Sequence, residues 1–171
     1  MIDKVAYDGW LKVHKRQIGN KTYDILKDYD AVAALIMNEY GEVLLVKQFR
    51  PSIMRDALEI PAGTMDLEGE SETECLAREL KEEAHLAILP EDLQPLISYK
   101  PNLGFSNSDM HIYLAKIGKN RVVNEKPPDD EDINEIVWIK FNELERYIMD
   151  GKIQDIKTII VYLYIKAHRL L

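Results

Sequence analysis

Glu70 is followed, after seven residues, by the run Arg78-Glu79-Leu80-Lys81-Glu82-Glu83, inside the stretch Pro61 to Leu86, PAGTMDLEGESETECLARELKEEAHL. Carboxylates crowded around one arginine suit metal chemistry if the backbone turns them to one side. Ser71 and Glu74 have the spacing of a capping box, in which each satisfies an orphan amide of the other. Good helix formers follow without Gly or Pro, which predicts a helix from Ser71 to Ala84. At roughly 100° per residue, Thr73, Leu76, Ala77, Leu80 and Ala84 gather on a core-facing side. Glu72, Glu79, Glu82 and Glu83 gather on another, with Arg78 beside them, four residues before Glu82. Like charges three and four apart cost a helix roughly 0.2–0.5 kcal/mol per pair. A solvated acidic face would carry the same charges, but one this concentrated calls for a counter-charge. Hard divalent cations that prefer oxygen ligands, Mg²⁺ above all, supply one.

The spacing is more specific than an acidic face requires. It resembles the Nudix box, G-x5-E-x7-R-E-U-x-E-E-x-G-U with U aliphatic: Glu70, Arg78, Glu79, Leu80, Glu82, Glu83 and Leu86 all fall in register. Two positions depart from it. Six residues separate Gly63 from Glu70, so the loop is one residue longer or pivots on Gly69. His85 stands where the box has its last glycine, which ends the helix in a left-handed conformation; histidine adopts it at a strain of about 1 kcal/mol.

The elements that must position these residues follow in order. Residues 1–28 read as a β-hairpin extension, with strands Tyr7 to Val13 and Tyr23 to Leu26 and a turn at Gly19-Asn20. Trp10 within it is either a buried anchor or a ring that stacks on a ligand. Residues 29–171 form the main domain. Ala31 to Met37 is an apolar run suited to a buried strand, and Glu42 to Phe49 is its hairpin partner. Lys47 reads as a surface charge, whereas Arg50, in QFRPS just ahead of the strand feeding the box, has the bidentate fork that clamps a phosphate. Ala57 to Ile60 enters the box, with Glu59 as a hydrogen-bond acceptor, and Pro61-Ala62-Gly63 bends the chain so that the Ala62 carbonyl can face a metal.

After the helix, Leu96 to Tyr99, Met110 to Ala115 and Ile136 to Ile139 read as strands, and Pro101 to Asp109 as a loop. His111, at a strand start, reads as structural. Residues 118–132 form a charged loop, and five acids fall between Asp129 and Glu135; beside a metal-binding helix it can deliver a general base, and Asp130 or Glu131 is the choice. Asn142 to Met149 reads as a helix capped by Asn142, and Ile153 to Leu171 as an amphipathic helix.

The order β-β-β-helix-β-β-β-helix resembles the Nudix fold, an α+β arrangement with a mixed sheet between helices. Within the family, Pro101, fifteen residues past Leu86, is placed as in ADP-ribose pyrophosphatases. PNLGFSNSDMHIYLA is similar to their SPGFSDE-IH-FLA, GKIQDIKTI (Gly151 to Ile159) to their G-I-DAKTI, and QFR also matches, although Ser108 stands where they often carry glutamate. The resemblance implies hydrolysis of ADP-ribose to AMP and ribose 5-phosphate by a homodimer that exchanges N-terminal strands. It implies that the Ala62 carbonyl, Glu79, Glu82 and Glu83 hold Mg²⁺ (or Mn²⁺), that Glu131 is a further metal ligand, and that Arg78 orients the carboxylates. Arg50 would hold the diphosphate, Glu59, Gly104 and Phe105 would line the substrate site, and Trp10 of the other subunit would stack on adenine. Other family activities, on oxidised nucleotides or GDP-sugars, share the box. A non-catalytic ADP-ribose sensor is disfavoured because every box carboxylate is present.

Composition bounds the rest. At 171 residues with 46% apolar content, one main domain with a real core is expected. A net charge of −8 disfavours nonspecific nucleic-acid binding. The single Cys75 excludes an internal disulfide framework and fits a reducing cytosol. Without a signal-like segment or an apolar run near 18 residues, the expectation is a soluble cytoplasmic protein with no membrane partner.

Overall fold

The computed structural model describes residues 2–118 and 133–171, apart from the side chains of Ile2 and Asn134. The strand Ala31–Asn38 (β4) shows why the main domain is layered. Six consecutive residues, Val32 to Met37, are buried. Successive side chains of a strand point to opposite faces, so an unbroken apolar run must be covered on both. Val32, Ala34 and Ile36 pack with Leu76, Leu80 and Ala84 of the helix Glu72–Ala84 (α1). Ala33, Leu35 and Met37 pack with Val161, Tyr162 and Ile165 of the C-terminal helix Ile156–His168 (α3). The mixed sheet between helices expected from the resemblance is therefore present.

Its strands are β4, Glu42–Arg50 (β5), Arg55–Glu59 (β6), Ala62–Thr64 (β7), Gln94–Tyr99 (β8), Met110–Ile117 (β9) and Ile133–Lys140 (β10). The order is β10-β5-β4-β9-β8, with β6 on β5 and β7 on β4. The β4–β9 pair is parallel and the others are antiparallel. The β4–β5 turn is held by the Asn38 side chain, which accepts from the amides of Tyr40 and Glu42.

The expected N-terminal antiparallel hairpin is present, with shifted strand bounds and one strand more. Three strands, Ile2–Asp8 (β1), Lys12–Ile18 (β2) and Lys21–Lys27 (β3), form their own antiparallel sheet. The run Tyr7 to Val13 is not one strand. It breaks at Gly9, where any Cβ would lie 2.4 Å from the Tyr7 hydroxyl. The turn at Gly19-Asn20 is present, with Gly19 at a φ of +60°. Trp10 sits beyond the break and is 79% exposed, so it is not a core anchor.

Two C-terminal boundaries also shift. Asn142 caps nothing: it lies inside a 3-10 turn, Phe141–Glu143, that precedes the helix Leu144–Met149 (α2). The last helix begins at Ile156 rather than Ile153, because the Asp155 side chain accepts from the Thr158 amide and makes Asp155 the N-cap. Among the described residues no helix is long and apolar enough to cross a membrane.

Candidate active site

The start of α1 forms as its sequence dictates. The Ser71 side chain accepts from the Glu74 amide, and the Glu74 carboxylate accepts from the Ser71 amide. At its other end His85 adopts the left-handed conformation, with φ of 56°. Leu76, Leu80 and Ala84 are buried as the helical wheel predicts, while Thr73 and Ala77 are only half-buried. Cys75 is fully buried, and burial pushes its thiol up to about 12, which makes it inert at neutral pH. Glu83 is also buried, because its carboxylate reaches under β7 and accepts from the Ala62 amide at 3.2 Å.

Gly63 and α1 fit each other at atomic contact. A Cβ on Gly63 would lie 2.0 Å from the Glu79 Cγ, so only glycine lets this carboxylate lie against β7. The longer loop to Glu70 is accommodated at Gly69, whose φ is +85°.

Arg78 gathers the acids. Its Nε and Nη2 donate to the two oxygens of Glu70, each at 3.0 Å. Its Nη1 donates to Glu79 at 2.7 Å and reaches Glu82 at 3.5 Å. The pull on Glu70 is visible in its acidity: the Arg78 hydrogen bonds hold the carboxyl below its ordinary range. Glu79 goes the other way. Burial raises its pKa, and the neighbouring Glu82 and Asp66 add to that against the opposing Arg78. One guanidinium thus serves three carboxylates, and Glu83 adds a fourth acid on the adjoining turn.

Among the described residues no three Asp, Glu, His or Cys side chains converge into a ready-made metal cage. Arg78 holds the acids apart in a fan. The donor set still fits a hard dication: all of it is oxygen, it is under-neutralised, and it lies against the bend carrying the Ala62 carbonyl. Asp130 and Glu131 lie outside the described residues.

A second group of charges lies at the other edge of the site. Arg50, at the end of β5, donates through Nε and Nη2 to Glu59 at 2.7 and 2.5 Å. Glu59 is only 4% exposed. Burial by itself would raise its pKa, but the bonds and charges of Arg50 and Lys157 outweigh that and hold it at about 2. Lys157, on the first turn of α3, donates to Glu59 and lies 3.0 Å from Asp155. Thr158 donates to Asp155 at 2.5 Å and accepts from the Ile60 amide at 2.9 Å. Arg50, Glu59, Asp155 and Lys157 line a cavity of about 570 Å³ with Arg55 and Lys152.

Lys157, Asp155 and Thr158 belong to this cluster, which the sequence read residue by residue does not reveal. The signal was available: Lys157, Val161 and Ile165 share one stripe of α3, so a lysine on the buried face needed an acid partner.

The other expected residues are spread more widely. Gly104 and Phe105 stand on the Pro101 to Asp109 loop, which docks on β3 through a Leu26 amide bond to the Phe105 carbonyl at 2.7 Å. Ser108 is buried and 3.0 Å from the Ser106 hydroxyl, so it packs the loop. The His111 Nδ1 lies 2.9 Å from the Ser98 hydroxyl and 3.5 Å from Glu72. Lys47 pairs at the surface with Asp56 and Glu135.

A family model described as NUDIX domain matches residues 27–159. The chain belongs to the NUDIX domain family. This NUDIX chain is 29% identical over 149 residues to an ADP-ribose pyrophosphatase of Bacillus subtilis, covering 86% of the chain and 78% of that protein. It is 29% identical over 178 residues to a GDP-mannose pyrophosphatase of Yersinia enterocolitica, covering 95% of the chain and 91% of that protein. It is 28% identical over 148 residues to a methanol dehydrogenase activator of Bacillus methanolicus, at 86% and 78% coverage.

Proposed function

We propose that this NUDIX protein hydrolyses the diphosphate bond of ADP-ribose, or of a closely similar nucleoside diphosphate sugar, to AMP and ribose 5-phosphate. It is a pyrophosphohydrolase. The observation that carries the reading is the fit of Gly63 to Glu79 beside an arginine that serves three carboxylates. Relatives named for ADP-ribose and GDP-mannose support the substrate class.

In this reading the Ala62 carbonyl, Glu79, Glu82 and Glu83 hold Mg²⁺, with Mn²⁺ as a substitute, and Glu131 contributes a further ligand. A dication held there would offset the diphosphate charge and make the attacking water more acidic. Arg78 keeps the carboxylates oriented, and Arg50 holds the diphosphate. Asp130 or Glu131 takes a proton from the attacking water as its oxygen bonds to phosphorus and the phosphoanhydride P–O bond breaks. Gly104 and Phe105 border the substrate with Glu59.

Residues 29–171 are the hydrolase domain and residues 1–28 an appendage that exchanges with a second copy, so that Trp10 of one copy stacks on the adenine held by the other. The exposure of Val5, Tyr7, Trp10 and Ile18 supports an apolar partner for this sheet. The protein acts in the cytoplasm, on small molecules rather than nucleic acid.

The test is hydrolysis of ADP-ribose, GDP-mannose and an oxidised nucleoside triphosphate side by side, with and without Mg²⁺, read as released nucleotide or phosphate. The expected result is Mg²⁺-dependent cleavage with ADP-ribose preferred. Preference for GDP-mannose, matching the Yersinia relative, would replace the substrate and keep the mechanism. Rapid cleavage in chelator would reject the metal assignment.

A further inference from the structure

Arg50 has a problem that its own geometry exposes. Two faces of its fork are already committed to Glu59, yet the proposed reaction needs it for a diphosphate. If Arg50 turned away, Glu59 would be left as a buried carboxylate, and a buried charge without a partner is strongly unfavourable. Glu59 has a second cation in Lys157, itself only 5% exposed and anchored by Asp155. The cluster holds two cations and two anions, and all four line the same cavity. Arg50 is the more exposed of its two cations, and Lys157 is fixed to the head of α3 by the Asp155 cap.

Resting on the assignment of Arg50 to the diphosphate, we propose that Lys157 is a positioning residue: it is the standing counter-ion of Glu59, and it allows Arg50 to exchange that carboxylate for the substrate's diphosphate. Without Lys157, Glu59 has one cation and keeps it. The diphosphate must then compete with a desolvated carboxylate for the same guanidinium. A lysine that served only to bind α3 to β6 would lose that tie in Glu59→Gln, which should then bind more weakly than wild type; in the proposed role Glu59→Gln frees Arg50 and should bind at least as tightly as wild type. Lys157 in the proposed role matters only while Glu59 is charged.

The experiment is a double-mutant cycle on the full chain, with calorimetric binding of α,β-methylene-ADP in Mg²⁺ as the readout. Lys157→Met should weaken binding by about tenfold or more in the wild-type background and by less than about threefold in a Glu59→Gln background, because pairs in one charge network couple. Lys157→Arg, which keeps the charge, should bind within about threefold of wild type. Should Lys157→Met fail to fold, the comparison of Glu59→Gln with Glu59→Gln/Lys157→Met carries the test, and those two should fold and bind alike. Equal weakening by Lys157→Met in both backgrounds, unfolding of the double variant, or no binding by the wild type would overturn the inference. Coupled binding without hydrolysis of any nucleoside diphosphate sugar would remove the proposed activity and leave Lys157 its role; hydrolysis with uncoupled binding would do the reverse.

Discussion

The two charged regions flanking the Ile60–Gly63 bend are built on opposite principles. On α1, one arginine faces Glu70, Glu79 and Glu82, with Glu83 one turn on, so negative charge is in excess. At the head of α3, Arg50 and Lys157 balance Glu59 and Asp155 with the pairs largely buried. An imbalance of four carboxylates to one guanidinium has no benefit to the fold and invites a cation. A balanced set fixes the backbone, here through the Thr158 hydroxyl on the Ile60 amide, and in the proposed reading it leaves Arg50 able to exchange Glu59 for a diphosphate. Removing a carboxylate from the first region should therefore damage chemistry with the fold intact, and removing Glu59 from the second should cost stability.

The largest expected effect lies on α1. Glu83→Gln keeps an acceptor for the Ala62 amide and relieves charge repulsion, so its melting temperature should equal or exceed wild type while turnover falls on the order of a thousandfold, the loss of several kcal/mol of transition-state stabilisation. A Glu83→Gln enzyme of normal rate, or one that unfolds, would break the contrast. Next is Gly63→Ala. Its methyl must displace Glu79, and misplacing a catalytic group by about 1 Å costs about a hundredfold in rate. Steady-state kinetics, with circular dichroism to verify the fold, decide it.

The smaller effects belong to α3. The Glu59 carboxyl is held at about 2 in the folded protein, below its ordinary 4.5. Its ionised form is therefore favoured by folding. The stability it contributes is fully present above pH 4.5 and is lost as pH falls through about 2. Denaturant titrations should show the gap between wild type and Glu59→Gln constant from pH 7 to about 5 and closing below that. A gap that widens on acidification would reverse the sign. Thr158→Val removes the buried acceptor of the Ile60 amide and should cost about 1–3 kcal/mol of stability, with turnover changed much less.

How far the sequence could be read follows the same division. The α1 region is local: the capping box, the acidic stripe, Gly69 as a pivot and the left-handed His85 all involve residues within about a turn or a loop of one another, where spacing determines geometry. The α3 region is not. Glu59 and Lys157 stand 98 positions apart in the chain, and only the sheet brings β6 against α3. The Arg50–Glu59 pair was not legible, although both stand in the same short stretch: the β5–β6 register sets Arg50 opposite Arg55 and Glu59 opposite Val46, and only the long guanidinium side chain reaches along the hairpin to the carboxylate. The N-terminal sheet was misread for a simpler reason. Tyr7, Trp10 and Val13 are β-formers, and they outweighed the single Gly9 at which the chain leaves β1 before β2 begins at Lys12.

The central claim is that the carboxylates of α1 are tolerated together because a dication neutralises them. It is tested most directly by Mn²⁺ binding, followed by electron paramagnetic resonance of free Mn²⁺, in wild type and Glu79→Gln/Glu83→Gln, each with a non-hydrolysable ADP-ribose analogue. The account predicts saturable uptake by the wild type and its loss in the double variant with the fold intact. No uptake by the wild type, or undiminished uptake by the double variant, would contradict it.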